Sequence, residues 1–146
     1  MPAETSTKTP LLKDQLCFAL YATSRAFTKV YAPLLKDMGV TYPQYLILLV
    51  LWEKGPQTIH KLAKELEIEG ATATPLIKRM ETLGLVTRER CKEDERRVLA
   101  KLTDLGESYR EKSVGIPTDL GCAVNVSEAQ AKKLLTELNA IRATLD

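Results

Sequence analysis

The chain has 146 residues, of which 45% are hydrophobic and 27% charged, and its formal net charge is +2. This composition fits one soluble domain with a sizeable core. The longest apolar run, Tyr45 to Trp52, is far shorter than the about 20 residues of a membrane span, and the polar N-terminus lacks the apolar core of a signal peptide. We therefore expect a cytoplasmic protein with no membrane partner. The number of cysteines is odd, which argues against a disulfide framework; they are Cys17, Cys91 and Cys122.

The first predicted element is a long helix. Residues 1–8 are polar and are predicted to be disordered. Thr9 and Pro10 have the pattern of an N-cap followed by a proline at the first helical position. Apolar residues at helical spacing then continue to Met38, and Gly39 is the predicted stop. Because this helix is long and apolar, we expect part of it to pack against a partner chain.

Three helices are predicted in the middle of the chain: Pro43 to Lys54, Ile59 to Leu66, and about Ala71 to Leu83. The first is apolar on nearly all sides, as expected for a central core helix. Thr58 is the predicted cap of the second, and Gly84 ends the third. Pro75 fits the third helix only if it lies within the first turn or so, where amide donors lack partners anyway.

The hydrophobic period then changes to that of two short strands with a charged loop between them: Leu85 to Arg90, Cys91 to Arg96, and Arg97 to Leu102. This pattern predicts a β-hairpin. Thr103 caps a fifth helix that runs toward Lys112, and residues 113–117 interrupt it. Ser127 caps a last helix that reaches Ile141.

Helix, helix, helix and hairpin over residues 43–102 are in the order of a winged helix-turn-helix. The flanking helices, in residues 9–38 and 103–146, suit a helical dimerisation platform. We therefore predict a single domain, residues 1–146, that is mainly α with a small β wing and dimerises through its N- and C-terminal helices.

The helix near residues 71–83 has two faces. Its core face recurs at helical spacing: Ala73, Leu76, Ile77, Met80 and Leu83. The opposite face carries hydroxyls, a proline and cations: Thr72, Thr74, Pro75, Lys78 and Arg79. Hydroxyls near a helix N-terminus can reach phosphates or base edges, and the cations can contact phosphates or guanine. An ordinary amphipathic surface helix would give the same pattern.

The hairpin favours DNA binding over that alternative. Arg96 is placed at its turn, between Asp94 and Arg97. An arginine on a wing can enter the narrow, electronegative minor groove, and Asp94 could hold it there by a charge-assisted hydrogen bond. A solvated charged turn is the other interpretation, but a helix-turn-helix followed by a basic hairpin indicates a DNA-binding protein.

Four segments carry a family resemblance. The segment GATATPLIKRME (70–81) resembles the recognition helix of MarR-family regulators, and DERR (94–97) resembles their wing. The segments QLCFALYA (15–22) and TYPQY (41–45) are similar to the organic hydroperoxide resistance regulators within that family. The similarity runs from about Leu12 to the end of the chain.

The resemblance implies a redox site at the N-terminal helix. It makes Cys17 the peroxide-sensing residue and places Tyr21, Tyr31 and Tyr42 around its thiol, partly from the other subunit. Peroxide attack needs a thiolate. We expect Cys17 to lie inside its helix, away from the N-terminus, so that tyrosine hydroxyls rather than the helix dipole stabilise the anion.

Helical spacing separates two of these tyrosines. Tyr21 follows Cys17 by four residues and therefore shares its helix face. Tyr31 is fourteen residues on, about 21 Å along the same helix. It cannot reach the thiol of its own chain, which predicts a homodimer with crossed first helices.

The resemblance to the two-cysteine subclass also implies a resolving thiol. An Ile-Pro pair precedes Cys122, which takes the resolving role, whereas Cys91 matches neither role. The implied function is a transcriptional repressor that binds double-stranded operator DNA. An organic hydroperoxide as inducer oxidises Cys17, a disulfide forms with Cys122, and the DNA is released.

Two alternatives remain open. A MarR-type repressor could instead be released by a small aromatic ligand, with Cys17 merely buried. A thiol peroxidase would need turnover, and no proton-donor pattern or nucleotide site is visible. We expect no enzymatic activity, no catalytic residues and no cofactor. We also expect no metal, because the spacing of His60 and the cysteines fits no standard zinc site.

Overall fold

The computed structural model describes residues 8–145, which form seven α-helices and one three-stranded antiparallel sheet. The elements are α1 (Leu16–Leu34), α2 (Tyr42–Lys54), β1 (Gln57–Thr58), α3 (Ile59–Leu66), α4 (Gly70–Thr82), β2 (Val86–Arg90), β3 (Val98–Leu102), α5 (Asp104–Ser113), α6 (Ile116–Val124) and α7 (Glu128–Arg142). Short 3₁₀ turns flank α1 at Leu12–Asp14 and Lys36–Met38. None of the helices in residues 8–145 is long and apolar enough to cross a membrane. Most of the stretch predicted to be disordered, residues 1–7, lies outside the described residues, as does residue 146.

The sheet has the strand order β1-β3-β2. In the hairpin, Val86 pairs with Leu102 and Arg90 pairs with Val98, so each strand begins one residue later than predicted. The short strand β1 adds to the other edge of β3, with Gln57 opposite Ala100. The sequence did not predict β1, because two residues are too few to show strand alternation.

Helix α2 is the centre of the hydrophobic core, as predicted. Six of its 13 residues are buried, and it begins with a capping box in which Thr41 and Gln44 satisfy each other's amides. The core around it draws on every element of the winged helix: Leu35, Leu62, Ile77, Met80, Leu85, Val86 and Ala100 are among its members. Trp52 closes this core against α5, where its indole N–H donates to the Gly106 carbonyl at 3.0 Å.

Helix α5 is locked to the turn that follows α4. The Thr103 amide donates to the Leu85 carbonyl at 3.0 Å, and the Thr103 hydroxyl donates to the Gly84 carbonyl at 2.5 Å. At Gly106 a Cβ atom would stand 2.2 Å from the Leu85 carbonyl oxygen. Only glycine permits this close approach, which holds the base of the hairpin beside the end of α4.

The predicted start of the first helix is wrong. The backbone at Gln15 is extended, and α1 begins at Leu16 without a side-chain cap. Pro10 disfavours helix at the residue before it, and the segment 12–14 is a separate 3₁₀ turn. At the other end α1 stops at Leu34, earlier than the predicted Met38. Gly39 is confirmed as a stop signal, but the element that its left-handed conformation ends is the second 3₁₀ turn.

Two further expectations need correction. Pro75 is the sixth residue of α4 and therefore lies beyond the first turn. Leu83, assigned to the core face of α4, is partly exposed at the helix end. The interruption predicted at residues 113–117 is brief, and it is followed by α6, in which Pro117 occupies the first turn. Helix α6 is anchored by the buried Ile116 and packs against α1.

Candidate nucleic-acid interface and thiol site

Helix α4 presents a polar face to solvent. Its buried side is formed by Ala73, Ile77 and Met80, and its outer side carries the five predicted DNA-contacting residues, of which Thr74 is half-buried and the others exposed. The Thr74 hydroxyl donates to the Gly70 carbonyl at 3.0 Å, which leaves its oxygen lone pairs as acceptors. The position of this helix, second in the helix-turn-helix with its polar face outward, suits insertion into a major groove.

The tip of the hairpin is organised by one carboxylate. Asp94 accepts from both the backbone amide and the Nε of Arg96, at 3.1 and 3.2 Å, and its other oxygen lies 3.6 Å from the Nε of Arg97. The Arg96 side chain is nevertheless 91% exposed. Asp94 therefore orients both arginines at their Nε atoms while the guanidinium of Arg96 faces solvent, an arrangement that suits entry into a minor groove.

An ion pair that the sequence analysis did not predict joins α4 to the hairpin. Glu81 near the end of α4 accepts from the Arg88 backbone amide at 3.0 Å and from its Nε and Nη2 at 3.3 Å each. These charge-assisted bonds fix β2 relative to α4. The six residues between them span a helix end, a turn and the start of a strand, so no local periodicity signals the pair.

Cys17 does not lie where it was expected. It is the second residue of α1 and is exposed. The prediction that it sits away from a helix N-terminus is therefore wrong, and the reason is the later start of α1. The thiol therefore lies in the first turn, beside backbone amides that have no partner within the helix.

Tyr31 and Tyr42 come together as one cluster. Their ring centroids are 4.5 Å apart, and Tyr45, which was not assigned a role, lies 5.9 Å from Tyr31. Burial raises the pKa of Tyr31 to about 12, with contributions from Tyr42 and Tyr45, and burial also raises the pKa values of Tyr42 and Tyr45. These phenols therefore remain protonated hydrogen-bond donors across the physiological pH range.

Tyr21 is separate from that cluster. It is exposed, its hydroxyl accepts from Arg25 at 3.4 Å, and the Arg25 guanidinium stands 5.4 Å from its ring centroid. It shares α1 with Tyr31, which confirms that one continuous helix separates Cys17 from Tyr31. Within one protomer the thiol thus has Tyr21 on its own helix, while the tyrosine pair lies farther along.

Cys122 lies on α6, the helix that the sequence did not predict, and is exposed. All three thiols are free within residues 8–145. Because α6 packs against α1, the two thiols with proposed redox roles belong to helices that are in contact, although the residues are far apart in the sequence.

The last helix reaches the DNA-reading unit through one polar contact. Arg142, the last residue of α7, donates to the carboxylate of Glu67. The backbone of Glu67 has a left-handed conformation and ends α3 just before α4 begins. This contact is both a hydrogen bond and an ion pair, and among residues 8–145 it is the polar side-chain contact that joins α7 to another helix. It places a C-terminal side chain at the turn of the helix-turn-helix.

Comparison with known proteins agrees with this geometry. Residues 40–98 match the MarR family. The organic hydroperoxide resistance transcriptional regulator of Bacillus subtilis is 48% identical over 92% of this chain and 91% of its own length. Reduced AbfR of Staphylococcus epidermidis bound to DNA is 36% identical, with a TM-score of 0.76 over 92% of this chain and 94% of that chain. Disulfide-formed AbfR gives a TM-score of 0.61 at 35% identity, over 92% and 89% of the two chains.

Proposed function

The chain belongs to the MarR family of DNA-binding transcriptional regulators, and we propose that it is a repressor released from its operator when an organic hydroperoxide oxidises Cys17. The observation that carries the proposal is the exposed Cys17 thiol in the first turn of α1, in a chain similar over nearly its whole length to an organic hydroperoxide resistance regulator.

The DNA-binding part of the proposal assigns contacts to two elements. Helix α4 reads the major groove through Thr72, Thr74, Pro75, Lys78 and Arg79. The wing inserts Arg96 into the minor groove, with Asp94 and Arg97 supporting it. The higher similarity to reduced, DNA-bound AbfR than to its disulfide form supports the view that this conformation is the one that binds DNA.

The dimer in the proposal is formed by the terminal helices. Neither α1 nor α7 contains a buried residue, although both carry large exposed apolar side chains: Leu16, Phe18, Leu20, Leu134, Leu135, Leu138 and Ile141. Such patches mark association surfaces. Crossing the first helices of two protomers would bring Tyr31 and Tyr42 of one chain to Cys17 of the other.

The redox step balances without a cofactor. The Cys17 thiolate attacks the terminal peroxide oxygen, the O–O bond breaks, and the alkoxide leaves as an alcohol after taking up a proton. The resulting sulfenic acid condenses with the Cys122 thiol of the second protomer, which releases water and forms an inter-subunit disulfide. Protonated Tyr21, Tyr31 and Tyr42 are the proposed donors to the thiolate and to the departing oxygen.

The disulfide would pull on α1 and α6. Because α7 follows α6 in the chain, the contact between Arg142 of α7 and Glu67 offers a path to the turn before α4. A small change in the separation of two recognition helices mismatches both half-sites at once and lowers affinity. A cellular thiol then restores the reduced repressor.

Replacement of Cys17 by serine tests the sensor. We expect C17S to bind a duplex selected from a random-sequence pool by the reduced protein with unchanged affinity, and to stay bound after one equivalent of cumene hydroperoxide, as followed by fluorescence anisotropy. Cys91→Ser is the matched control and should release DNA like the unaltered protein. Release of DNA from C17S by peroxide would contradict the assignment.

Replacement of Cys122 by serine tests the resolving thiol. We expect C122S to lose the inter-subunit bond on a non-reducing gel while Cys17 is still oxidised. Release of DNA from a C17S and C122S double variant by an aromatic acid would instead support a repressor of the small-ligand type.

A further inference from the structure

A cationic cleft lies between the first helix of the helix-turn-helix, the recognition helix and the wing. It has a volume of about 260 Å³ and is lined on the hairpin side by Arg88, Arg96 and Arg97, and on the helix side by His60 and Thr74. His60 lies on the exposed side of α3. It is the one histidine of the 146-residue chain.

The charges around His60 favour an anion. Across the cleft it faces three arginines, and the recognition helix offers the uncharged Thr74. On its own helix Lys61 is its neighbour and Lys64 lies one turn on. The acidic side chains bound to the cleft arginines are Glu81, which holds Arg88, and Asp94, which holds Arg96 and Arg97. Three arginines against two carboxylates leave an excess of one positive charge before His60 is protonated.

We propose that Arg88, Arg97 and His60 in this cleft seat one backbone phosphate of the bound duplex in each half-site, beside the minor-groove position given to Arg96, and that His60 makes the affinity for DNA depend on pH. The inference rests on the DNA-binding function and not on the redox mechanism. Histidine is the side chain whose charge ordinarily changes near neutral pH. A protonated imidazole at a phosphate adds a charge-assisted hydrogen bond and a counterion-release contribution, both of which vanish when it loses its proton.

The sign of the effect follows directly. Low pH adds positive charge to the cleft, so DNA affinity is highest in acid and falls as pH rises across the neutral range. The loss is expected to be about tenfold for each half-site, and therefore about 100-fold for a dimer on its duplex, since each half-site loses one hydrogen bond to a charged group.

The test uses the full-length reduced protein and its selected duplex, with anisotropy measured across this pH range at constant ionic strength. The unaltered protein should lose affinity as pH rises, whereas His60→Gln should show a flat profile. At low pH, H60Q should also lower the slope of log affinity against log salt by about one for each phosphate released. At high pH the two proteins should bind alike.

A second arm identifies the source of the phosphate. Single neutral methylphosphonates are placed in turn along the duplex backbone, and one position in each half-site should abolish the pH dependence of the unaltered protein. A flat profile for the unaltered protein, the same pH dependence in H60Q, or a scan in which no position matters would each overturn the proposal. Because H60Q should still release DNA on peroxide treatment, failure here is distinguishable from failure of the redox mechanism.

Discussion

The winged helix and the terminal helices of this chain solve the burial problem in opposite ways. Helix α2 buries six of its 13 residues within its own protomer, whereas α1, with 19 residues, and α7, with 15, bury none. The winged helix is also closed by long-range hydrogen bonds such as that from Trp52 to Gly106. A region that completes its own core can hold its exposed polar surface rigidly, whereas a region with uncovered apolar faces offers them to the second protomer of the proposed dimer.

The largest expected difference separates two glycines: Gly106, where α5 packs on the winged helix, and Gly121 in α6, which packs against α1. Gly106→Ala should destabilise the fold by roughly 3 kcal/mol or more, because its Cβ would overlap the Leu85 carbonyl. The matched Gly121→Ala, in α6, meets only the Val126 carbonyl oxygen at 3.9 Å and should be neutral or stabilise by up to about 1 kcal/mol. Urea unfolding at one protomer concentration measures both. Equal losses for the two variants would erase the contrast.

Next in size is the effect of charging the exposed face of α7. Leu135→Glu should weaken dimerisation by about 100-fold or more in sedimentation experiments, since burial of a leucine is worth about 1.5 to 3 kcal/mol and each dimer contains two. Thr136 lies on the side of α7 opposite to Leu134, Leu138 and Ile141, so Thr136→Glu should leave the dimer intact. If L135E stayed dimeric, α7 would not contribute to the dimer interface.

An alkaline titration sharpens the comparison within α1 itself. Tyr31 is packed against the winged helix, and its pKa of about 12 lies above the unfolded value of 10.0, so the folded state keeps the proton longer. Its contribution to stability is complete below about pH 10 and is lost as pH rises through about 12. Tyr31→Phe should remove the highest-pH step of tyrosinate absorbance, whereas Tyr21→Phe, at the exposed end of the helix, should retain it.

The smallest change in stability is expected at the contact between the two regions. Arg142→Ala should cost about 0.5 kcal/mol or less, because the Arg142–Glu67 pair is exposed. It should nevertheless reduce the loss of DNA affinity that peroxide causes, if α7 transmits the change to the turn before α4. Lys132→Ala, which breaks a pair within α7, is the control and should leave that loss unaltered. Identical peroxide responses in both variants would exclude Arg142 from the coupling.

Local signals in the sequence predicted much of the fold. The caps at Thr58, Thr103 and Ser127 each accept a hydrogen bond from the third amide of the following helix, so the beginnings of α3, α5 and α7 were predictable. The hairpin followed from its change of period. The start of α1 was not predictable in this way. Thr9 and Pro10 have the pattern of a helix start, but the backbone at Gln15 is extended and α1 begins only at Leu16.

The sequence by itself determined the order of the elements other than β1 and α6, the polar face of α4 and the basic wing, since caps, periodicity and charge act over a few residues. Only the tertiary structure decided which distant groups meet: Glu81 with Arg88, Arg142 with Glu67, Tyr31 with Tyr42, and His60 with the cleft arginines. It also moved Cys17 from the interior of a helix to its first turn, where backbone amides have no partner within the helix. Such contacts depend on how helices pack, and packing joins residues that no local pattern connects.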